Sequence, residues 1–299
     1  MSDMAGTTAA PVLRPQGWWW LFGALRRDTS GLVGVAIVGL YVLAAIGAPW
    51  LAPDVSQGRG TPDPMAQLQP PSGHHLLGTD HLGRDLLSRL IFAARPSLSM
   101  ALIVIVLAVV IGVPIGAVAG YSARWTDEVL MRGTDVFLSF TPLLLAVVVA
   151  TALGPGYWSA VVALAVTWWP WYARLARGQA ASLRQRPYVV AAQVMGASAP
   201  TILVRHIIPN LSGPVLVQAT LDLSSVVLIA SGLSFLGLGT QPPGADWGVM
   251  VNDARIYFLS DPWYVFFSGV AIIGASIGFV MLGDALRRIL QLRPTEVAL

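Results

Sequence analysis

Three histidines and two carboxylates crowd one stretch of the chain: His74, His75 and His81 beside Asp80 and Asp85. Imidazole and carboxylate are ordinary ligands of divalent metals. Adjacent histidines cannot readily aim at one ion from a helix or a strand, however, and nothing in the spacing fixes a tetrahedral or octahedral set. No metal site is assigned to them. A further carboxylate, Asp222, stands within an apolar region. At the centre of a bilayer helix an acidic side chain costs about 2.5–3.5 kcal/mol. Asp222 therefore needs a polar partner, a water-filled pathway or a place close enough to the interface to be solvated. Pathway and polar packing both stay open. The chain has no Cys, and all 18 of its Lys and Arg side chains are Arg. Thiolate metal sites, cysteine nucleophiles, a phosphate-binding P-loop lysine and a Schiff-base lysine are excluded together. Any ATP this protein uses must be bound by another polypeptide, and no cofactor is expected on this one.

The elements that hold these residues are apolar helices. Of 299 residues, 55% are hydrophobic and 11% charged, against about 25% charged in a soluble domain. Five uncharged runs, 31–52, 96–123, 136–173, 223–245 and 262–283, approach or exceed the 20 or so residues that cross a bilayer. The third is too long for one crossing and carries Gly154, Pro155 and Gly156 near its middle, a strong turn signal. The expectation is an all-α polytopic membrane protein with six transmembrane helices near 31–52, 97–121, 134–153, 157–175, 214–238 and 263–285. Only Arg59, Arg84, Arg89, Arg95 and Arg255 fall in the outer segments when both termini are placed in the cytoplasm, leaving the other 13 of 18 inside. Positive charge accumulates on the inner face, so that orientation is adopted. Trp50, Trp158 and Trp263 then mark outer ends, and Trp125, Trp168, Trp169 and Trp171 inner ends. Trp18, Trp19 and Trp20 ahead of Arg26 and Arg27 read as an interfacial helix on the inner leaflet.

Two connecting segments are long enough to carry function. In the outer one, Thr79 or Asp80 can cap an amphipathic helix with Leu82, Leu86, Leu87 and Leu90 on one side. In the inner one, Pro187 suits the first turn of a helix, Gly196 its left-handed stop, and Ser198 with Pro200 the start of a second short helix. This knuckle carries Tyr188, Val190, Val194 and Met195, apolar residues that mark either a partner surface or packing on the inner leaflet. Gly112, Gly116 and Gly120, and again Gly274 and Gly278, recur every four residues and allow close helix approach. They serve either an interface with another subunit or packing within the chain.

The inner knuckle resembles the EAA loop of ABC-importer permeases, with Ala191, Ala192, Gly196, Ile208, Pro209 and Asn210 in register. Val190 stands at that pattern's Glu. The outer segment Gly78, Thr79, Asp80, Gly83, Arg84, Asp85, Ser88 and Arg89 is similar to the hallmark of the dipeptide/oligopeptide/nickel branch. Residues 234–239, with Gln241, Pro242, Pro243, Trp247 and Gly248, resemble another stretch of it, and Gly283, Asp284, Leu286 and Arg287 a last one. Ala230 replaces a Glu common in relatives. Leu32, Val33, Gly34, Ala48, Pro49 and Pro53 fit the N-terminal region of the second, C-type permease.

The resemblance implies an N-terminal region over 18–72 and a transmembrane domain over 96–290 in a multi-pass protein of the bacterial inner membrane. It implies a non-catalytic subunit that pairs with a homologous permease and binds two cytoplasmic ATPases, which hold ATP and Mg. Substrate comes from an extracytoplasmic binding protein; peptides are the expected cargo and nickel the alternative. Tyr188, Val190, Ala191, Ala192, Met195, Gly196, Ile208 and Pro209 would couple to the ATPase. Besides these proteins only membrane lipid is expected as a partner, and no nucleic acid. A proton-coupled secondary transporter is the rival class, but Asp222, with Asp135 at a span's edge, is thin provision for a proton relay.

Overall fold

The computed structural model describes residues 28–122 and 124–291. The helix expected around Trp18, Trp19 and Trp20 lies outside the described residues. Nine helices of eight residues or more carry the fold among those described: α1 (Thr29–Leu51), α2 (Leu86–Tyr121), α3 (Arg124–Leu138), α4 (Pro142–Leu153), α5 (Tyr157–Arg184), α6 (Pro187–Val194), α7 (Ala199–Phe235), α8 (Trp247–Ala254) and α9 (Pro262–Gln291). No strand occurs among the described residues, only an isolated bridge between Thr79 and Asp85. Helices α1, α2, α7 and α9 are each long and apolar enough to cross a membrane, and α3 with α4 passes as one bent span. The architecture is all-helical and polytopic.

Three expected elements come out differently. The amphipathic helix capped by Thr79 or Asp80 does not form; Asp85 caps α2 instead, accepting from Ser88 N at 2.8 Å. Gly78 and Gly83, at φ +82° and +76°, fold 78–85 into a closed turn in which Leu86 N donates to Gly78 O at 3.0 Å. With 36 residues, α2 is about 54 Å long, enough to reach from this turn across a 30 Å bilayer core. The single helix over 134–153 is broken: α3 and α4 meet at 85°. Pro142 opens α4 and excludes the residue before it from the helical region. The second short helix of the knuckle is likewise not separate. It continues through a π turn, Leu203–Ile207, into one helix ending at Phe235, so α7 starts well before the expected 214.

Close packing holds the bundle. A Cβ on Gly112, Gly116 or Gly120 of α2 would run into the carbonyls of Trp169, Ala173 and Arg177 on α5. Gly274 and Gly278 of α9 make room for Tyr41 and Ile37 of α1 in the same way. Both stripes thus serve packing within the chain. On α1, Pro49 leaves the carbonyl of Ala45 without its helical donor. Arg95 of α2 donates to that carbonyl and, at 2.8 Å, to Ile46 O. Beyond the apolar part of α5, Arg174 pairs with Asp135 at 2.7 Å and Arg177 grips Asp127 at 2.5 and 2.6 Å, fastening α3 against α5.

Candidate functional site

The knuckle is built around a helix stop. Gly196 lies at φ +82°, its N–H donates to Gln193 O, and Ala197 N–H donates to Ala192 O, both at 3.0 Å. This pair of bonds is the Schellman arrangement, which needs a left-handed residue at the reversal. Around it α6 is two-faced. Val189 and Ala192 are buried, whereas Tyr188 and Val190 are exposed and Val194 and Met195 are 83% and 80% exposed. Ala191 is exposed as well. Two contacts tie the segment to the end of α2: Gln193 Nε2 donates to the Tyr121 hydroxyl at 3.2 Å, and the Arg184 guanidinium lies 5.7 Å from the Tyr121 ring centroid. Ile208 and the exposed Pro209 sit where the π turn gives way to regular helix. Pro209 has no N–H for the preceding turn, which accounts for the irregularity there.

The outer motif is a polar core rather than an open site. Thr79, Asp80, Arg84, Asp85, Ser88 and Arg89 are all buried. Asp80 accepts from Arg84 Nε at 2.6 Å and from the N–H groups of Leu82 and Arg84 at 2.9 Å. Asp85 binds Ser88 Oγ at 2.7 Å and His75 Nδ1 at 3.1 Å. Ser88 Oγ accepts from Asp54 N, and Arg89 Nη1 donates to Pro243 O, each at 3.0 Å. The Cβ positions of Gly78 and Gly83 are filled by backbone atoms of Gln69 and Asp63. Backbone N–H of Gln57 and the Ser56 hydroxyl hold the carboxyl of Asp54 below the usual carboxylate range. The histidines go to different partners, His75 to Asp85 and His81 to the Tyr264 hydroxyl.

Sequence reasoning missed Asp246 and Ser97. Asp246 caps α8 through Val249 N at 2.9 Å and accepts from Ser234 Oγ at 2.8 Å. Trp247 then donates its backbone N–H to Ser97 Oγ and its indole N–H to Leu90 O, both at 3.1 Å. Residues 234–248 therefore lock α7, α8 and α2 together. The position of Asp246, ending an uncharged run just before Trp247 and Gly248, was the available signal. Asp222 accepts from Gln218 Nε2 at 2.9 Å on its own helix. The buried Tyr172 hydroxyl of α5 lies beside it without completing a hydrogen bond of good geometry.

Comparison with known proteins agrees with this geometry. The family model described as the binding-protein-dependent transport system inner membrane component matches residues 112–295. A second, the N-terminal TM domain of oligopeptide transport permease C, matches 17–71. The chain is 38% identical to the dipeptide transport system permease protein DppC of Alkalihalophilus pseudofirmus, over 90% of this chain and 88% of that one. It is 40% identical to the probable D,D-dipeptide transport system permease protein DdpC of Escherichia coli, over 91% and 89%. It is 38% identical to the nickel transport system permease protein NikC of Escherichia coli, over 88% and 94%. Among solved structures, a chain of the inward-facing MetNI methionine ABC transporter shares the fold at TM-score 0.54 and 18% identity, over 69% of this chain and 95% of that one. This chain belongs to the binding-protein-dependent transport system inner membrane component family, as a multi-pass permease subunit of an ABC importer in the bacterial inner membrane.

Proposed function

We propose that this subunit forms half of a translocation pathway for peptides handed over by an extracytoplasmic binding protein. The similarity to DppC and DdpC and to the oligopeptide N-terminal model supports that cargo. NikC, at 38% identity, supports nickel as the second reading. The pathway forms against a homologous permease, with two cytoplasmic ATPases supplying hydrolysis. ATP and Mg stay on those subunits, and this chain holds no cofactor and catalyses nothing itself. Six crossings are α1, α2, the bent pair α3–α4, α5, α7 and α9, with both termini inside. The N-terminal unit is 18–72 and the transmembrane core 96–290. Cysteines at Ser72 and Gln241 should then react with an impermeant reagent on intact cells and one at Ser198 should not.

The observation that carries the coupling role is the bare apolar face of α6 opposite the buried Val189 and Ala192. That face seats in a groove of the ATPase. Rigid-body movement of the ATPase then passes through the Gly196 turn into α7 and through Tyr121 into α2, opening the two ends of the pathway in turn. Gln218, Asp222 and Ser225, spaced for one face of α7, line the pathway just past the middle of that helix, because lipid would penalise them. The test is reconstitution of the chain with its partner subunits and ATP-dependent uptake of labelled dipeptide. Mass spectrometry of the ligand on the cognate binding protein separates peptide from nickel. Failure to co-purify with an ATPase would favour a secondary transporter.

A further inference from the structure

A cavity of about 230 Å³ lies between the outer cap and the end of α8, lined by His81, Asn252, Asp253, Arg255, Ile256 and Tyr257. No motif described above accounts for it. Drug-sized pockets begin at about 300 Å³, so this one suits a smaller ligand. One wall is aromatic: the rings of His81 and Tyr257 lie near-parallel with centroids 6.0 Å apart, and the buried Tyr264 ring backs both. Asp253 provides a carboxylate to which, among the described residues, no group donates a hydrogen bond. Burial pushes its carboxyl up, opposed by the charges of His81, Arg84 and Arg89. At the rim Arg255 is exposed, with Nη1 held by Asn252 Oδ1 at 2.5 Å.

These groups select by charge. A carboxylate beside aromatic faces favours an ammonium, and a guanidinium favours a carboxylate. A simple cation would meet Arg255, and a simple anion would meet Asp253. A molecule carrying both charges a few ångströms apart satisfies both ends. We infer that this cavity is an entry site for a small zwitterion, with the free amino and carboxyl termini of a dipeptide as its chemical class. Its use in transport rests on the peptide-import reading, while the binding itself does not.

Saturation-transfer NMR on the full-length chain in lipid nanodiscs tests it, with Ala-Ala, N-acetyl-Ala-Ala and Ala-Ala amide as probes. Ala-Ala is expected to bind and both blocked forms to bind about tenfold more weakly, each having lost one charge-assisted contact. Asp253→Asn should weaken Ala-Ala without further weakening the N-acetylated probe, and Arg255→Gln should do the same relative to the amide. Asp253→Asn is isosteric and Arg255 is exposed, and an unchanged melting temperature checks the folding of both variants. Equal binding of all three probes, no binding of any, or binding indifferent to both substitutions overturns the site. If the probes behave as expected but the reconstituted importer moves no dipeptide, the site stands and the peptide-import reading falls.

Discussion

Gln193 and Tyr121, 72 positions apart, meet at 3.2 Å, so α6 is fastened to the C-terminal end of α2, a helix of 36 residues. A net hydrogen bond contributes about 0.5–1.5 kcal/mol. Tyr121→Phe and Gln193→Leu should each lower ATP-dependent uptake by about threefold while leaving assembly intact. The double variant should be no worse than either single one, since both remove the same contact. Additive losses would mean that the two residues act separately.

Gly196 separates conformation from crowding. A Cβ there would meet nothing within 4 Å, yet φ is +82°. The whole cost of a side chain is therefore backbone strain, about 1–2 kcal/mol for most residues. Gly196→Val should insert and pair normally but lose transport through poor ATPase docking or uncoupled hydrolysis. Gly196→Asn, better tolerated in the left-handed region, should keep more activity. Wild-type uptake and ATPase stimulation in the Val variant would remove the turn from the coupling path.

The buried Asp80–Arg84 pair makes a stability prediction. Removing one member leaves an uncompensated charge, at a cost of about 3–5 kcal/mol. Arg84→Met should lower the melting temperature and expose the outer cap to protease. Adding Asp80→Leu to it should recover part of the loss, because no lone charge remains. A single variant as stable as wild type would show that the pair is solvated in the assembled transporter.

Uptake by Asp222→Asn and Asp222→Leu probes the polar face of α7. The amide keeps a partner for Gln218, whereas Leu leaves that side chain without one, next to the already unpartnered Tyr172 hydroxyl. A pathway role predicts reduced uptake in both, with Leu the worse. Wild-type rates in both would reduce Asp222 to packing.

Legibility in the sequence followed length and charge. The uncharged runs located α1, α2, α7 and α9, the helices long and apolar enough to cross a membrane, because apolar length is a long-range signal, and the reversal at Gly196 was readable from Pro187, Gly196 and Ser198 together. The outer helix was misread for a local reason. Leu82, Leu86, Leu87 and Leu90 fit a helical face, but Gly78 and Gly83 turn left-handed to bring backbone against Gln69 and Asp63, contacts made by distant residues. The break before Pro142 was hidden because it falls inside an uncharged run. In the candidate site, the eight outer residues were identifiable as a group, whereas their burial as one hydrogen-bonded core was not, since the partners Gln57, Asp54 and Pro243 come from other segments.

The contact between α2 and α5 makes the two helices mechanically one. Three glycines over more than two turns bring the helices to backbone contact, leaving no layer of side chains to slide or compress. The outer cap starts on one of these helices and the inner knuckle hangs from the other, so they form a single strut. A displacement at one end of the strut therefore reaches the other without being absorbed in an intervening layer of side chains.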